Sequence, residues 1–160
     1  MRACAIMTVL FAASAAASVD EKKPDEKKPA IKELSTKDLK ITITIPDKSD
    51  VTKPFEAKTP GDLAKVSVLT PDAVMALGKQ VDFTNDKVVV FWWGGSGQDK
   101  IAAGELKTVE LKPAGGPFPE RKTTATFTYT PGKTRDLRAH FHLFVVPRDA
   151  EVKVEEAKVK

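Results

Sequence analysis

Cysteine is almost absent from this chain, whose single cysteine is Cys4. One cysteine cannot form a disulfide within the molecule, so no disulfide framework holds the fold together. Cys4 also precedes the apolar part of the N-terminal segment, which does not fit the attachment of a lipid anchor. The fold must therefore be stabilised by an apolar core, and the rest of the chain offers no cysteine nucleophile.

An excess of charge of one sign is also lacking. The sequence has 26 basic and 22 acidic residues, which gives a formal net charge of +4. Its densest charged stretch, residues 21–29, mixes acids and bases, whereas nucleic-acid-binding proteins cluster lysine and arginine on one face. We therefore expect no nucleic-acid partner.

Long hydrophobic runs are missing as well. The uncharged segment Ala3–Ala17 is too short to cross a bilayer, which takes about 20 apolar residues. Arg2 precedes this segment and small residues end it, which is the pattern of a signal peptide. We predict a signal peptide at residues 1–18, cleaved after Ala17 or Ser18. The protein is then exported, periplasmic or secreted, with no transmembrane segment in its mature form.

The mature chain divides into two parts by composition. Residues 19–37 repeat a pattern rich in lysine, glutamate and proline that buries nothing, so we predict a disordered linker. Residues 38–158 carry regular apolar patterns and are long enough for a single domain with its own core.

The first half of this domain combines strand and helix patterns. Apolar and polar residues alternate from Leu39 to Ile45, as in a strand with one buried face. Thr59-Pro60 and Thr70-Pro71 place capping threonines before prolines and predict two short helices, the second ending near Gly78. The unbroken apolar run in Lys87–Trp93 predicts a strand covered on both faces.

The second half of the domain is rich in strand patterns. A strand over 101–112 changes its apolar phase between Leu106 and Val109, which predicts a bulge. A loop over 113–121 and further alternating segments predict an antiparallel meander. The order of elements predicts an α+β fold, a two-layer domain of mostly antiparallel sheet with one or two short helices.

A glycine-rich segment, Gly94-Gly95-Ser96-Gly97, follows the strongest predicted strand. A phosphate-binding loop ends in Gly-Lys-Ser/Thr and a nucleophile elbow reads Gly-x-Ser-x-Gly, and this segment fits neither. The pattern favours a sharp turn between two strands. A binding loop flanked by Trp92 and Trp93 is the alternative.

A second polar segment, residues 135–138, carries two arginines around an aspartate. Guanidinium groups suit carboxylates and phosphates, although the aspartate can instead pair with a neighbouring arginine. We hypothesise that both segments contribute to one ligand-binding site, although the sequence does not show whether they meet. Its candidate residues are Trp93, Ser96, Asp99, Arg135 and Arg138.

The only histidines, His140 and His142, are two residues apart on a predicted strand. They share a face, so both can bind one metal ion, and a metal site at these two residues is the alternative hypothesis. The positive charge of Arg138 on the same face opposes a cation. We therefore predict no metal and no cofactor, and no set of catalytic residues stands out.

Two segments carry a resemblance to known proteins. Trp93-Gly94-Gly95-Ser96-Gly97-Gln98-Asp99-Lys100 and Tyr129-Thr130-Pro131-Gly132-Lys133-Thr134-Arg135-Asp136-Leu137-Arg138 resemble segments of small exported bacterial proteins of unknown function, which share a Trp-Gly-Ser-Gly turn. The apolar strand, glycine turn and β-rich end are also similar to the C-terminal domain of a bacterial protease-complex subunit, whose turn typically reads Gly-Gly-Tyr. The resemblance covers about half of the mature chain and implies no catalytic residue.

These observations predict an exported, non-catalytic binding or interaction module. Its partner would be an extracytoplasmic protein or a small ligand that the sequence does not identify. The alternative is a small extracytoplasmic hydrolase or metal-dependent enzyme that uses His140 and His142.

Overall fold

The structure is a computed structural model that describes residues 30–37, 39–46, 50–111 and 120–157. The predicted signal peptide and residues 19–29 of the predicted linker lie outside the described residues. Seven strands and two helices are found in the described part of the chain. In order they are β1 Lys32–Leu34, β2 Phe55–Ala57, α1 Pro60–Leu63, α2 Pro71–Gln80, β3 Asp86–Ser96, β4 Lys100–Leu111, β5 Glu120–Thr130, β6 Leu137–Pro147 and β7 Glu151–Glu156.

The strands form two sheets. A four-stranded sheet has the order β1-β6-β3-β2 and is antiparallel throughout. A three-stranded sheet has the order β4-β5-β7, in which β5 and β7 run parallel. The prediction of an α+β fold with mostly antiparallel sheet and short helices is confirmed. The predicted meander is wrong, because the consecutive strands β5 and β6 lie in different sheets.

Strand β3 is buried on both faces, as its unbroken apolar run predicts. Val88 and Val90 pack in one core cluster with residues of α1 and α2. Val89, Phe91 and Trp93 pack in a second cluster with residues of β4 and β5. The helices and the three-stranded sheet thus contact opposite faces of the four-stranded sheet, and the expected two-layer arrangement is not confirmed.

Both helices begin at capping threonines. The Thr59 side chain accepts a hydrogen bond from the Asp62 backbone N–H (3.1 Å), and Thr70 Oγ1 accepts one from the Ala73 N–H (3.3 Å). The first helix is a single turn, whereas the second continues two residues past Gly78. A Cβ at Gly78 would lie 3.8 Å from Pro60 Cβ of α1, an ordinary contact distance, so Gly78 faces the first helix. Neither helix has the length and hydrophobicity to cross a membrane, among the residues described.

Two predictions near the start of the described chain are wrong. Strand β1 lies within the predicted linker of residues 19–37, because Lys32–Leu34 pairs with β6 and buries Leu34 in the core. The strand predicted from Leu39 to Ile45 is absent from residues 39–46. Only Ile41 forms a bridge, to Leu69, and Ile45 stays 45 % exposed. No strand among the described residues extends this bridge, so the alternating residues from Leu39 to Ile45 do not join a sheet.

Strand β3 does not end at its glycines. Gly94 and Gly95 continue the pairing with β6, opposite Ala139 and Arg138. A Cβ at Gly94 would lie 2.6 Å from Ile45 Cγ2, so glycine here allows close packing inside the strand. The chain turns only after Ser96, which corrects the expectation of a break at Gly94.

The predicted bulge in β4 exists but lies earlier. The register between β4 and β5 shifts between Ala103 and Leu106, and not between Leu106 and Val109. Gly104 occupies this irregularity, where a Cβ would lie 2.8 Å from the Thr126 carbonyl oxygen. A residue without a side chain is therefore required at the bulge.

Candidate functional site

The candidate site lies at one end of the long pair formed by β3 and β6. These strands pair over eleven positions, from Asp86 opposite Pro147 to Ser96 opposite Leu137. Their register places the turn after β3 beside the segment that leads into β6. The two polar segments singled out in the sequence therefore meet, whereas residue spacing alone leaves this adjacency open.

Direct contacts join the two turns. Ser96 Oγ lies 2.6 Å from Thr134 Oγ1 and accepts a hydrogen bond from the Thr134 N–H (3.1 Å). The Gly97 N–H donates to the Asp136 carbonyl oxygen (3.0 Å). These bonds hold the turns together without any ligand. Ser96 is thus a positioning residue of the turns, and its hydroxyl is already engaged on two sides.

Asp99 is buried, with 8 % of its surface exposed. Its carboxylate accepts hydrogen bonds from Trp93 Nε1 (3.2 Å), the Tyr129 hydroxyl (3.0 Å) and the Gly132 N–H (2.6 Å). Burial alone raises the pKa of Asp99, but the hydrogen bonds outweigh burial and hold the pKa below its ordinary value. Asp99 therefore anchors the two turns, and its place in the proposed ligand site stays a prediction.

The pKa of Tyr129 is shifted in the opposite direction from that of Asp99. Burial, together with the hydrogen bond to Asp99 and its negative charge, raises the pKa of Tyr129 to about 12. The phenol therefore stays protonated at neutral pH and remains a donor to the carboxylate.

Trp93 is buried, with 3 % of its surface exposed. Its ring stacks on His140, with centroids 4.7 Å apart, and meets Tyr129 edge to face at 6.1 Å. The buried indole N–H donates to Asp99, so Trp93 packs in the core, and a ligand contact of this residue stays a prediction. Trp92 is half-buried on the other face, and its indole donates to the Thr44 carbonyl oxygen (2.8 Å).

The two histidines share a face, as predicted. The Ser96 carbonyl oxygen accepts a hydrogen bond from His140 Nε2 (2.8 Å), and Glu33 accepts one from His142 Nδ1 (3.1 Å). One nitrogen of each ring is thus engaged. Within the described ranges, no group of three or more histidine, cysteine, aspartate or glutamate side chains is placed to hold a metal ion.

The arginines of the second segment differ in their contacts. Arg138 Nε lies 2.8 Å from Asp136 Oδ2, the ion pair that the sequence offered as an alternative. Hydrogen bonds from Thr134 and Gly97, and the charge of Arg138, hold the pKa of Asp136 below its ordinary value. Arg135 is exposed and forms no ion pair with any residue that the structure describes.

A groove of about 460 Å³ lies between the two turns. Among the described residues that line it are two lysines and no carboxylate. We call it the lysine groove, and its lining is Gly97, Gln98, Lys100, Thr130, Pro131, Gly132 and Lys133. Neither lysine is among the candidate residues that the sequence indicates. Lys133 directly follows Gly132 and Lys100 comes three residues after Gly97, and this closeness to the glycine turns was the available signal.

Gly132 sets the shape of this groove. A Cβ at this position would meet Ser96 Oγ and lie 2.8 Å from Gln98 Cβ. The absence of a side chain lets the two turns approach until the Gly132 N–H reaches the Asp99 carboxylate. The groove walls are therefore fixed relative to each other.

Comparisons with models of protein families, with curated proteins and with solved structures find no match to this chain. The resemblances drawn from the two sequence segments thus stay predictions, and the geometry of the site carries the functional conclusion.

Proposed function

We propose that this chain is an exported, non-catalytic binding module that holds an acidic ligand in the lysine groove. The observation that carries this proposal is the charge of the groove, in which Lys100 and Lys133 lie without a carboxylate among the described lining residues. Two carboxylates contact lining residues from behind: Asp99 is buried and accepts three hydrogen bonds, and Asp136 pairs with Arg138 and accepts a hydrogen bond from the Gly97 N–H. Ammonium groups beside exposed backbone attract carboxylate or phosphate oxygens.

Arginine adds positive charge at the edge of the groove. A Cβ at Gly97, a lining residue, would meet the Asp136 carboxylate and lie 2.8 Å from Arg138 Nε, so this ion pair borders the groove. Asp136 offsets the charge of Arg138, whereas Arg135 is exposed without an ion pair to the described residues. The net charge around the groove is therefore positive.

Rigidity supports the same function. The hydrogen bonds of Ser96 with Thr134 and of Asp99 with Gly132 fix the two walls before a ligand arrives. A site that is already ordered loses less conformational entropy on binding. The partner would be an extracytoplasmic protein or a small molecule that presents carboxylate groups, and the module would need no cofactor.

Calorimetric titration of the purified protein with triglutamate tests the proposal, with trilysine as the probe of opposite charge. We expect triglutamate to bind more tightly than trilysine, and its affinity to fall with added salt because the groups are exposed. The double variant K100Q/K133Q should bind about tenfold more weakly, since an exposed charge contact contributes roughly 0.2–1 kcal/mol.

Lys107→Gln is the matched control, because Lys107 lies exposed on β4 outside the groove. This variant should keep the affinity of the parent protein. Equal binding of triglutamate and trilysine, or equal losses in K107Q and K100Q/K133Q, would refute a site in the lysine groove.

A further inference from the structure

The outer edge of β6 is only partly covered. Strand β1 pairs with Leu143–Val145, three of the eleven residues of β6. No strand in the described part of the chain lies beside Leu137–His142 on that side. Backbone N–H and C=O groups along an uncovered edge are ready to pair with another extended chain. We call Leu137–His142 the β6 edge.

A cleft lies where β1 leaves β6. It has a volume of about 360 Å³ and borders the β6 edge at Phe141 and His142. Its other wall is the end of β1 and the residues after it, Glu33–Lys37, where the chain turns away and Leu39 N–H bonds to the Thr36 carbonyl oxygen. The turn leaves space in line with β1, in which another strand can continue.

The side chains of β1 indicate which residue types fit beside β6. Glu33 lies on the face of the sheet that carries His142 and accepts a hydrogen bond from its ring. Leu34 points to the opposite face and is buried in the core cluster with Phe141 and Leu143. An acidic residue on one face and an apolar residue on the other are thus already accommodated beside β6.

The same two-faced pattern continues along the β6 edge. His140 and Arg138 lie on the face of His142, and Leu137 and Ala139 lie on the face of Phe141. Leu137 is 65 % exposed and thus offers uncovered apolar surface. Arg138 pairs with Asp136 through Nε, and a guanidinium has further N–H donors. These donors and the ring of His140 favour a guest with acidic residues opposite them and apolar residues between them.

We propose that the β6 edge binds an extended acidic peptide by strand addition, antiparallel to β6 and in line with β1. Main-chain hydrogen bonds supply the attachment, and the alternation of acidic and apolar side chains supplies the selectivity. This surface shares Arg138 with the border of the lysine groove but does not include Lys100 or Lys133, so the double variant K100Q/K133Q distinguishes the two sites.

The test uses the peptide Ac-Ser-Val-Glu-Val-Glu-Val-Ser-NH2 and two N-methylated forms of it. In a strand, alternate N–H groups point to opposite edges, so each form carries methyl groups on one alternating set of amides. Strand addition predicts that one form loses about tenfold or more in affinity and the other binds like the parent peptide. Backbone amides within Leu137–His142 should exchange more slowly with solvent when the parent peptide is bound.

Equal binding of both methylated forms, or no binding of the parent peptide, would overturn strand addition. The affinity of the K100Q/K133Q variant for the peptide should stay within about twofold of that of the parent protein. The two lysines act on a peptide at the β6 edge only through electrostatic attraction that salt screens. A tenfold loss in that variant with no difference between the methylated forms would overturn the inference and support the lysine groove instead.

A charge exchange tests the acidic preference of the β6 edge, and it is made in the K100Q/K133Q background because Arg138 also borders the lysine groove. Arg138→Glu should weaken binding of the glutamate peptide and strengthen binding of the same peptide with lysine in place of glutamate. Lys107→Glu makes the same change of charge on β4 and should leave both affinities unaltered. If R138E and K107E change the affinities equally, the selectivity assigned to the β6 edge is wrong.

Discussion

Ser96 Oγ lies 2.6 Å from Thr134 Oγ1, across 38 residues of sequence. This contact joins the turn after β3 to the segment that precedes β6. It explains why a glycine-rich turn and an arginine-containing turn form one structural unit. Lys100 and Lys133 of this unit line the lysine groove, whereas its aspartates are engaged in holding the turns.

Truncation of Phe91 should be the most damaging of the changes considered. The side chain is 1 % exposed and its ring contacts Phe127 and Phe144, at centroid distances of 5.0 and 5.8 Å. Phe91→Ala should lower the free energy of unfolding by about 3–5 kcal/mol, measured by urea denaturation. Leu137→Ala, at an exposed position, is the control and should cost less than about 1 kcal/mol. A loss below about 1 kcal/mol for Phe91→Ala would contradict a doubly covered β3.

Asp99 should make stability depend on pH in the acid range. Its pKa in the folded state lies below the ordinary value of 3.8, so the charged carboxylate stabilises the fold fully above that value. This contribution is lost as the pH falls through the lowered pKa. Asp99→Asn should therefore be less stable at neutral pH, by about 1–3 kcal/mol.

Denaturation of the parent protein and D99N at several pH values measures this effect. The difference in stability between them should shrink as the pH falls below 3.8. A difference that stays constant from neutral to acid pH would show that the charge of Asp99 contributes nothing.

Tyr129 is the only tyrosine in the chain, so its ionisation can be followed by phenolate absorbance without interference from another phenol. We expect a midpoint at about pH 12, against an ordinary value of 10.0, as long as the fold persists. Asp99→Asn removes the negative charge beside the phenol and should move the midpoint part of the way back. Burial remains in that variant, so full return to the ordinary value would mean that burial has no effect on this group.

Gly132→Ala should destabilise the fold and distort the lysine groove together. The added methyl would meet Ser96 Oγ and lie 2.8 Å from Gln98 Cβ, and such overpacking costs about 1–3 kcal/mol. Gly61→Ala is the matched control, because its Cβ would lie at an ordinary 3.7 Å from Thr59 Oγ1. Thermal unfolding should show a lower midpoint for G132A than for G61A. Equal unfolding midpoints for the two variants would mean that the two turns can move apart without a loss of stability.

The parts of the fold that follow from local pattern could be predicted from the sequence. The unbroken apolar run of β3 and the capping threonines of both helices are examples, because each depends on neighbouring residues alone. The alternation from Leu39 to Ile45 is equally regular, but a strand also needs a partner, and only Ile41 finds one, at Leu69. Pairing across the sequence is a tertiary property that alternation does not encode.

The sequence singled out the two segments that meet at the candidate site, but not which of their side chains are buried and which are exposed. Arg135 and Arg138 lie at the surface as expected, whereas Trp93 and Asp99 are buried against each other. Their hydrogen bond satisfies both polar groups inside the core, and residue type alone does not reveal such a pairing. Lys100 and Lys133 were missed because the groove exists only when the two turns meet.

Strand β7 pairs with β5 only after the chain has passed through β6 in the other sheet. The three-stranded sheet therefore cannot be completed by a chain that stops at the end of β5, and β6 must find β3 across about forty residues of loop and strand. Contacts of such long sequence separation slow folding and tie distant segments into one transition. The two sheets should therefore unfold together, and a chain shortened before β7 should lose both.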